Sequence, residues 1–132
     1  MRTAVVATSE AKLRQTVRIG SHVLAADEPV ADGGDDAGPT PHEFILAGLG
    51  ACTSMTMRLY AARKGWPLER LAVTVDGDHV DGAFVLTRHI AIEGPLTEEQ
   101  RARLLEIANK CPVHRSLSGP IRITTDLVDR LA

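Results

Sequence analysis

The sequence predicts an α+β fold in the order βββ-α-ββ-α-β, and three observations carry that prediction. Short alternating apolar runs fill the first 27 residues. A long apolar stretch then follows a T-x-x-E signature at Thr40 to Glu43, and a second such signature, Thr97 to Gln100, opens another helix after two further alternating runs. No repeat or low-complexity tract interrupts this order, and the length suits one domain, residues 1–132, with a core of its own.

Thr3–Thr8, Leu13–Ile19 and His22–Ala26 form a β-meander on this reading, with Leu13, Val17 and Ile19 on one face. Ser9-Glu10-Ala11 and Gly20-Ser21 separate the strands. Residues 27–39, DEPVADGGDDAGP, are rich in residues that suit neither helix nor strand interiors, so an exposed acidic loop is expected. Thr40 then caps a helix, Pro41 fits its first position and Glu43 completes the capping box. The helix runs to about Lys64, where Gly65 and Pro67 end it, and spans ~36 Å at 1.5 Å per residue. From Phe44 to Leu59 it is apolar nearly all round, which predicts a long buried central helix. Gly48 and Gly50 each cost ~1 kcal/mol there, so they imply close approach of another backbone or a local break. A dimer interface is one way to cover such a helix.

Leu71, Val73 and Val75 alternate in the next strand, Gly77-Asp78 and Asp81-Gly82 offer turns, and Phe84–Glu93 supplies its antiparallel partner. The Thr97 capping box opens an amphipathic helix ending near Lys110. Its inward face is either Ala102, Leu105 and Ala108 or Leu104 and Ile107. Pro112 starts a short helical turn with Cys111 at its N-cap, and a final strand is expected over Ile121–Leu127.

Composition excludes several functions. Aromatic residues make up 3% of the chain, leaving few platforms for stacked bases. The formal charge is −2 with both signs interspersed, so neither nucleic acid nor a membrane surface is an expected partner. The N-terminal apolar stretch is too short for a secretory signal, and no uninterrupted apolar run reaches the ~18 to 20 residues of a membrane span. A cytoplasmic location is expected. In that compartment a pair of cysteines is catalytic, redox-sensing, metal-binding or simply buried more often than a permanent bridge.

Cys52 and Cys111 are the only thiols. Cys52 lies inside the apolar helix, where it is either an inert small hydrophobe or a nucleophile activated by a nearby cation, with Arg14, Arg18, Arg58 and Arg63 as candidates. Cys111 at an N-cap faces unsatisfied N–H groups that favour a thiolate, or it serves only as a cap. Cys111-x-x-His114 has ligand-like spacing, but only Cys52 and distant histidines remain to complete a zinc set, so no metal is expected. Glu43 and His42 stand ~14 and ~15 Å before Cys52 along a straight helix. Glu43 therefore meets a cysteine only if the helix breaks or a partner subunit brings one; otherwise it is a cap.

These residues carry a resemblance. GPTPHEFILAGLGACTSMTMRLYAARKGWPLE, followed 59 residues after Cys52 by the second cysteine in NKCPVHRSL, resembles the OsmC/Ohr family, in its single-domain OsmC-like branch with CPVHR, over nearly the whole chain. The resemblance implies an intertwined homodimer with long central helices and a thiol-dependent peroxidase acting on organic hydroperoxides. Cys52 would become a sulfenic acid, Cys111 would close a disulfide on it, and an external dithiol, possibly lipoyl, would reduce the pair without flavin, haem or metal. Arg14 and Glu43 are the residues that best match the family's activating pair. The match departs from the family pattern at both: His42 holds the place directly after the proline where well-studied members have Glu, and KLRQTVR lacks the glycine-rich context of their arginine. A slower or differently tuned peroxidase is expected. Two rivals remain on the same fold: a non-catalytic protein that binds a hydrophobic small molecule or lipid, and a thiol redox switch.

Overall fold

A computed structural model describes residues 1–130, and it divides into two compact units, residues 1–45 with the segment from Thr124 onward, and Leu46–Ile123. In the first unit β1 (Ala4–Thr8), β2 (Gln15–Ile19) and β3 (His22–Ala26) form the expected antiparallel meander in the order β1-β2-β3. Val17, central in that register opposite Val6 and Leu24, is buried.

The loop after β3 is more organised than its composition suggests. Asp27 is buried, and its carboxylate accepts the backbone N–H groups of Glu28 at 2.8 Å, Asp35 at 3.2 Å and Ala37 at 3.0 Å. The Ala37 and Glu28 bonds in particular hold its pKa below 3.8, so an ionised side chain winds residues 27–37 around itself.

Helix α1 (Pro41–Lys64) starts with the predicted capping box: Glu43 N–H donates to Thr40 Oγ1 at 3.2 Å, and Thr40 N–H donates to Glu43 Oε1 at 2.8 Å. It does not break at Gly48 or Gly50. A Cβ at Gly50 would stand 3.2 Å from Val75 Cγ2, so this glycine admits the close approach of the neighbouring hairpin, whereas among the described residues nothing outside its own helix lies within 4 Å of where a Cβ at Gly48 would stand. Burial departs from expectation. Only the stripe Leu49, Thr53, Met57 and Ala61, spaced four apart, is buried, while Met55 and Leu59 remain 71% and 52% exposed. One chain has too few elements to enclose a helix that is apolar all round.

Strands β4 (Arg70–Val80) and β5 (Ala83–Glu93) make a two-stranded antiparallel hairpin. Its two-residue turn has Asp81 at φ 50° and Gly82 at φ 82°, the paired positive angles of a type I′ turn. Gly77-Asp78, expected as a second turn, instead pairs with Leu86 and Val85 inside the ladder. Helix α2 (Glu98–Ala108) has its full capping box and buries Leu104, Ile107 and Ala108, leaving Leu105 58% exposed. That selects the second of the two faces the sequence allowed. Met57 and Ala61 of α1 meet Leu104 and Ala108 of α2 in the core, flanked by Tyr60 and Trp66 in edge-on contact at 5.5 Å. By length and hydropathy alone α1 could span a membrane, but its packing in this cluster is that of a core helix.

The short helix α3 (Pro112–Ser118) follows with Cys111 as its N-cap, as expected. The final strand over Ile121–Leu127 is absent: these residues are exposed and join no ladder. The alternation of Ile121 and Ile123 is a strand pattern, but a strand needs a partner edge, and among the described residues none pairs with this segment.

Leu104 is the largest aliphatic side chain at 0% exposure. Leu104→Ala is expected to destabilise the fold by about 2–5 kcal/mol, read from urea denaturation at constant slope.

Candidate functional site

Residues within Leu46–Ile123 form one polar cluster around Cys111, and its centre is Arg88. Inward positions along β5 are Phe84, Leu86, Arg88, Ile90 and Ile92, so the ladder's two-residue period drives a guanidinium into an otherwise apolar face. There both Nη atoms are engaged. Nη1 donates to Thr53 Oγ1 at 3.0 Å and to the Ala108 carbonyl at 2.9 Å; Nη2 donates to Asn109 Oδ1 at 2.9 Å and contacts His114 Nδ1 at 2.7 Å. A guanidinium can only donate, so His114 Nδ1 is the acceptor in this contact.

Cys111 is wholly buried. Its sulfur accepts the His114 backbone N–H at 3.3 Å and lies 3.6 Å from Thr53 Oγ1, which itself donates to the Leu49 carbonyl at 2.7 Å. Burial pushes the Cys111 thiol up. Against that, the His114 N–H, the Thr53 hydroxyl, the Cys52 side chain and the Arg88 charge all favour the thiolate, and together they bring it below its ordinary 9.0.

Cys52 is half-buried, with Thr56 Oγ1 4.0 Å from its sulfur, and its side chain is among the groups that lower the pKa of Cys111. Both cysteines are free thiols. The two cysteines singled out from the sequence are thus brought together. The other two candidates lie in the N-terminal unit. Arg14 stands exposed before β2, where its charge helps lower the pKa of Asp27, and Glu43 serves the Thr40 capping box, ~14 Å before Cys52 along an unbroken α1. Arg58 donates instead to the Glu69 carbonyl at 3.4 Å. Sequence reasoning missed Arg88, Thr53 and Asn109. The signal for Arg88 was present as a charged residue in register with the apolar positions of β5; Thr53 and Asn109 carried none.

Beside the cluster lies a cleft of about 230 Å³ whose walls combine Leu49, Phe84, Leu86 and Leu117 with the polar groups of Arg88 and His114. Among the described residues no three His, Cys, Asp or Glu side chains gather in a way that could hold a metal ion.

Comparisons with known proteins agree on one family. The model of the OsmC-like protein family matches residues 33–126. The fold is similar to an OsmC-like protein from Mycoplasma pneumoniae, at 24% identity and TM-score 0.75, over 90% of this chain and 88% of that one. It is also similar to an organic hydroperoxide resistance protein OsmC from Legionella pneumophila, at 23% identity and TM-score 0.68, over 90% of each chain. The organic hydroperoxide resistance protein OhrB of Bacillus subtilis aligns at 18% identity and TM-score 0.62, over 90% of this chain and 91% of that one. No curated protein sequence matches the chain.

The lowered Cys111 pKa has a sign that can be measured. The unfolded chain holds the thiol proton to higher pH than the folded one, so stability gains a contribution as pH rises through the folded value toward 9.0 and loses it as pH falls back through that value. The urea midpoint of the wild type is expected to rise relative to Cys111→Ser across that window; parallel curves would refute the assignment.

Proposed function

The chain belongs to the OsmC-like family, and from that premise we propose that it is a cytoplasmic thiol-dependent peroxidase acting on organic hydroperoxides. The observation that carries this reading is the meeting of the only two thiols, one half-exposed and the other buried among groups that favour its thiolate. Exposure assigns the roles. Cys52 attacks the terminal oxygen of the hydroperoxide; an S–O bond forms, the O–O bond breaks, and the alkoxide leaves and is protonated to the alcohol. Cys111 then attacks the sulfenic sulfur of Cys52, forming the disulfide and releasing hydroxide, which is protonated to water. An external dithiol, such as a lipoyl group, restores both thiols by exchange. In the cleft beside Arg88, the wall formed by Leu49, Phe84, Leu86 and Leu117 suits the alkyl part of such a substrate. The hydroperoxide resistance proteins that share the fold support the same chemistry.

Consumption of an alkyl hydroperoxide with dihydrolipoamide as reductant tests the cycle. Cys52→Ser is expected to lower turnover by about 10³-fold or more. Cys111→Ser is expected to retain the first oxidation but to stall as a trappable sulfenic acid. A Cys52→Ser protein as active as wild type would sink the proposal.

The working form on this reading is a homodimer. Met55 and Leu59, one turn apart on α1, form an exposed apolar strip on the helix whose opposite side packs in the core, and a second copy of α1 would cover it. Met55→Glu would bury an unpaired charge there, and sedimentation equilibrium should show association weakened by about 100-fold or more. An unchanged association constant would place the interface elsewhere.

A further inference from the structure

Thr53 has one hydroxyl hydrogen and three polar neighbours: the Leu49 carbonyl at 2.7 Å, Arg88 Nη1 at 3.0 Å and Cys111 Sγ at 3.6 Å. The carbonyl can only accept and the guanidinium can only donate. With the hydroxyl hydrogen on Leu49, both lone pairs of Oγ1 are available to donors: Arg88 takes one and the Cys111 S–H the other. That arrangement describes the protonated thiol. Once the thiol loses its proton, the sulfur can only accept, and the Thr53 hydroxyl, 3.6 Å away, offers a hydrogen that can turn to it. The Leu49 carbonyl is not stranded when the hydroxyl leaves, because it also accepts the backbone N–H four residues on in α1.

We propose that Thr53 is a positioning residue for the second thiol: held by Arg88, its hydroxyl turns from the Leu49 carbonyl to the Cys111 sulfur as the thiol becomes a thiolate. Arg88 keeps its bond to Oγ1 in both states, so it fixes the pivot while the hydrogen moves. Arg88 cannot accept, and the His114 backbone N–H already points at the sulfur in both states, so neither of these can exchange roles this way. The inference rests on the reading of Cys111 as the thiol that closes on Cys52, and it explains how a wholly buried sulfur is kept ready. In the closing step the S–S bond forms as the S–O bond of the sulfenic acid breaks. The departing hydroxide takes up a proton equivalent to the one Cys111 gave up, and the Thr53 hydroxyl returns to Leu49.

The test needs no peroxide. In full-length protein carrying Cys52→Ser, Cys111 is the only thiol, and its ultraviolet thiolate absorbance gives its titration midpoint directly. Thr53→Val keeps the side-chain shape and removes the hydroxyl; it is expected to raise the midpoint by about one pH unit, the scale of one hydrogen bond to a charged group. Thr53→Ser is expected to keep the parental midpoint. A Thr53→Val midpoint equal to the parent's overturns the proposal. So does a Thr53→Ser midpoint raised to that of an ordinary thiol, which would show that the methyl group and packing were responsible; this second variant decides the matter even if Thr53→Val folds poorly. Loss of peroxidase activity as the correct reading would leave the titration unaffected, so the two ideas fail separately.

Discussion

The pairing of Arg88 is the constraint on which the candidate site depends. A half-buried guanidinium on the apolar face of β5 needs acceptors for its donors, because a donor taken out of water and left without one costs free energy. Four acceptors meet that demand: the Thr53 hydroxyl of α1, the Ala108 carbonyl at the end of α2, the side chain of Asn109, and His114 of α3. The bonds therefore tie three helices to one point of the hairpin. Cys111, between α2 and α3, is held against Thr53 as a consequence. The same charge that joins the elements also favours the thiolate, behind the larger effects of the His114 N–H and the Thr53 hydroxyl.

Two parts of the chain make demands that the chain alone does not meet. Helix α1 buries one stripe and leaves Met55 and Leu59 exposed, and residues 121–127 carry a strand pattern without a strand to pair with. In both places the sequence carries an apolar pattern that the described residues leave exposed. Gly48 fits the same account, since its cost in helix propensity has no return among the described residues, whereas that of Gly50 is offset by the approach of Val75.

Local chemistry was the legible part of the sequence. Thr40, Thr97 and Pro112 fixed three helix starts because a cap is decided by residues within one turn, and Asp81-Gly82 fixed a hairpin because only a few dipeptides accept two positive φ angles. The two cysteines were legible as chemistry-bearing types. Gly77-Asp78 misled for the opposite reason: as a dipeptide it suits a turn, but the ladder on either side overrides a preference worth about 1 kcal/mol. The meeting of Thr53, Arg88 and Asn109 was not legible at all. They are 35 and 21 residues apart in sequence, and only the packing of the hairpin against the helices brings them together. Glu43 was legible twice, as a cap and as a candidate acid; the geometry accounts for the cap.

The asymmetry between the thiols also sets a direction on the proposed cycle. An incoming dithiol could attack either sulfur of the disulfide, expelling the other as a thiolate. Two factors decide between them. Access favours Cys52, because Cys111 has no exposed surface. Leaving-group stability favours the same choice, because attack on Cys52 expels the Cys111 thiolate into the N–H of His114 and the field of Arg88, and a thiol of lower pKa leaves faster. Attack at Cys111 would require the reductant to enter a closed cluster and displace the bonds that hold Arg88. Steric and electrostatic factors thus point the same way, and in the proposed cycle the mixed disulfide with the reductant would form on Cys52, the sulfur that would also meet the peroxide. On that proposal one thiol would face both substrates, and the buried one would serve as an internal relay whose readiness depends on the residues packed around it.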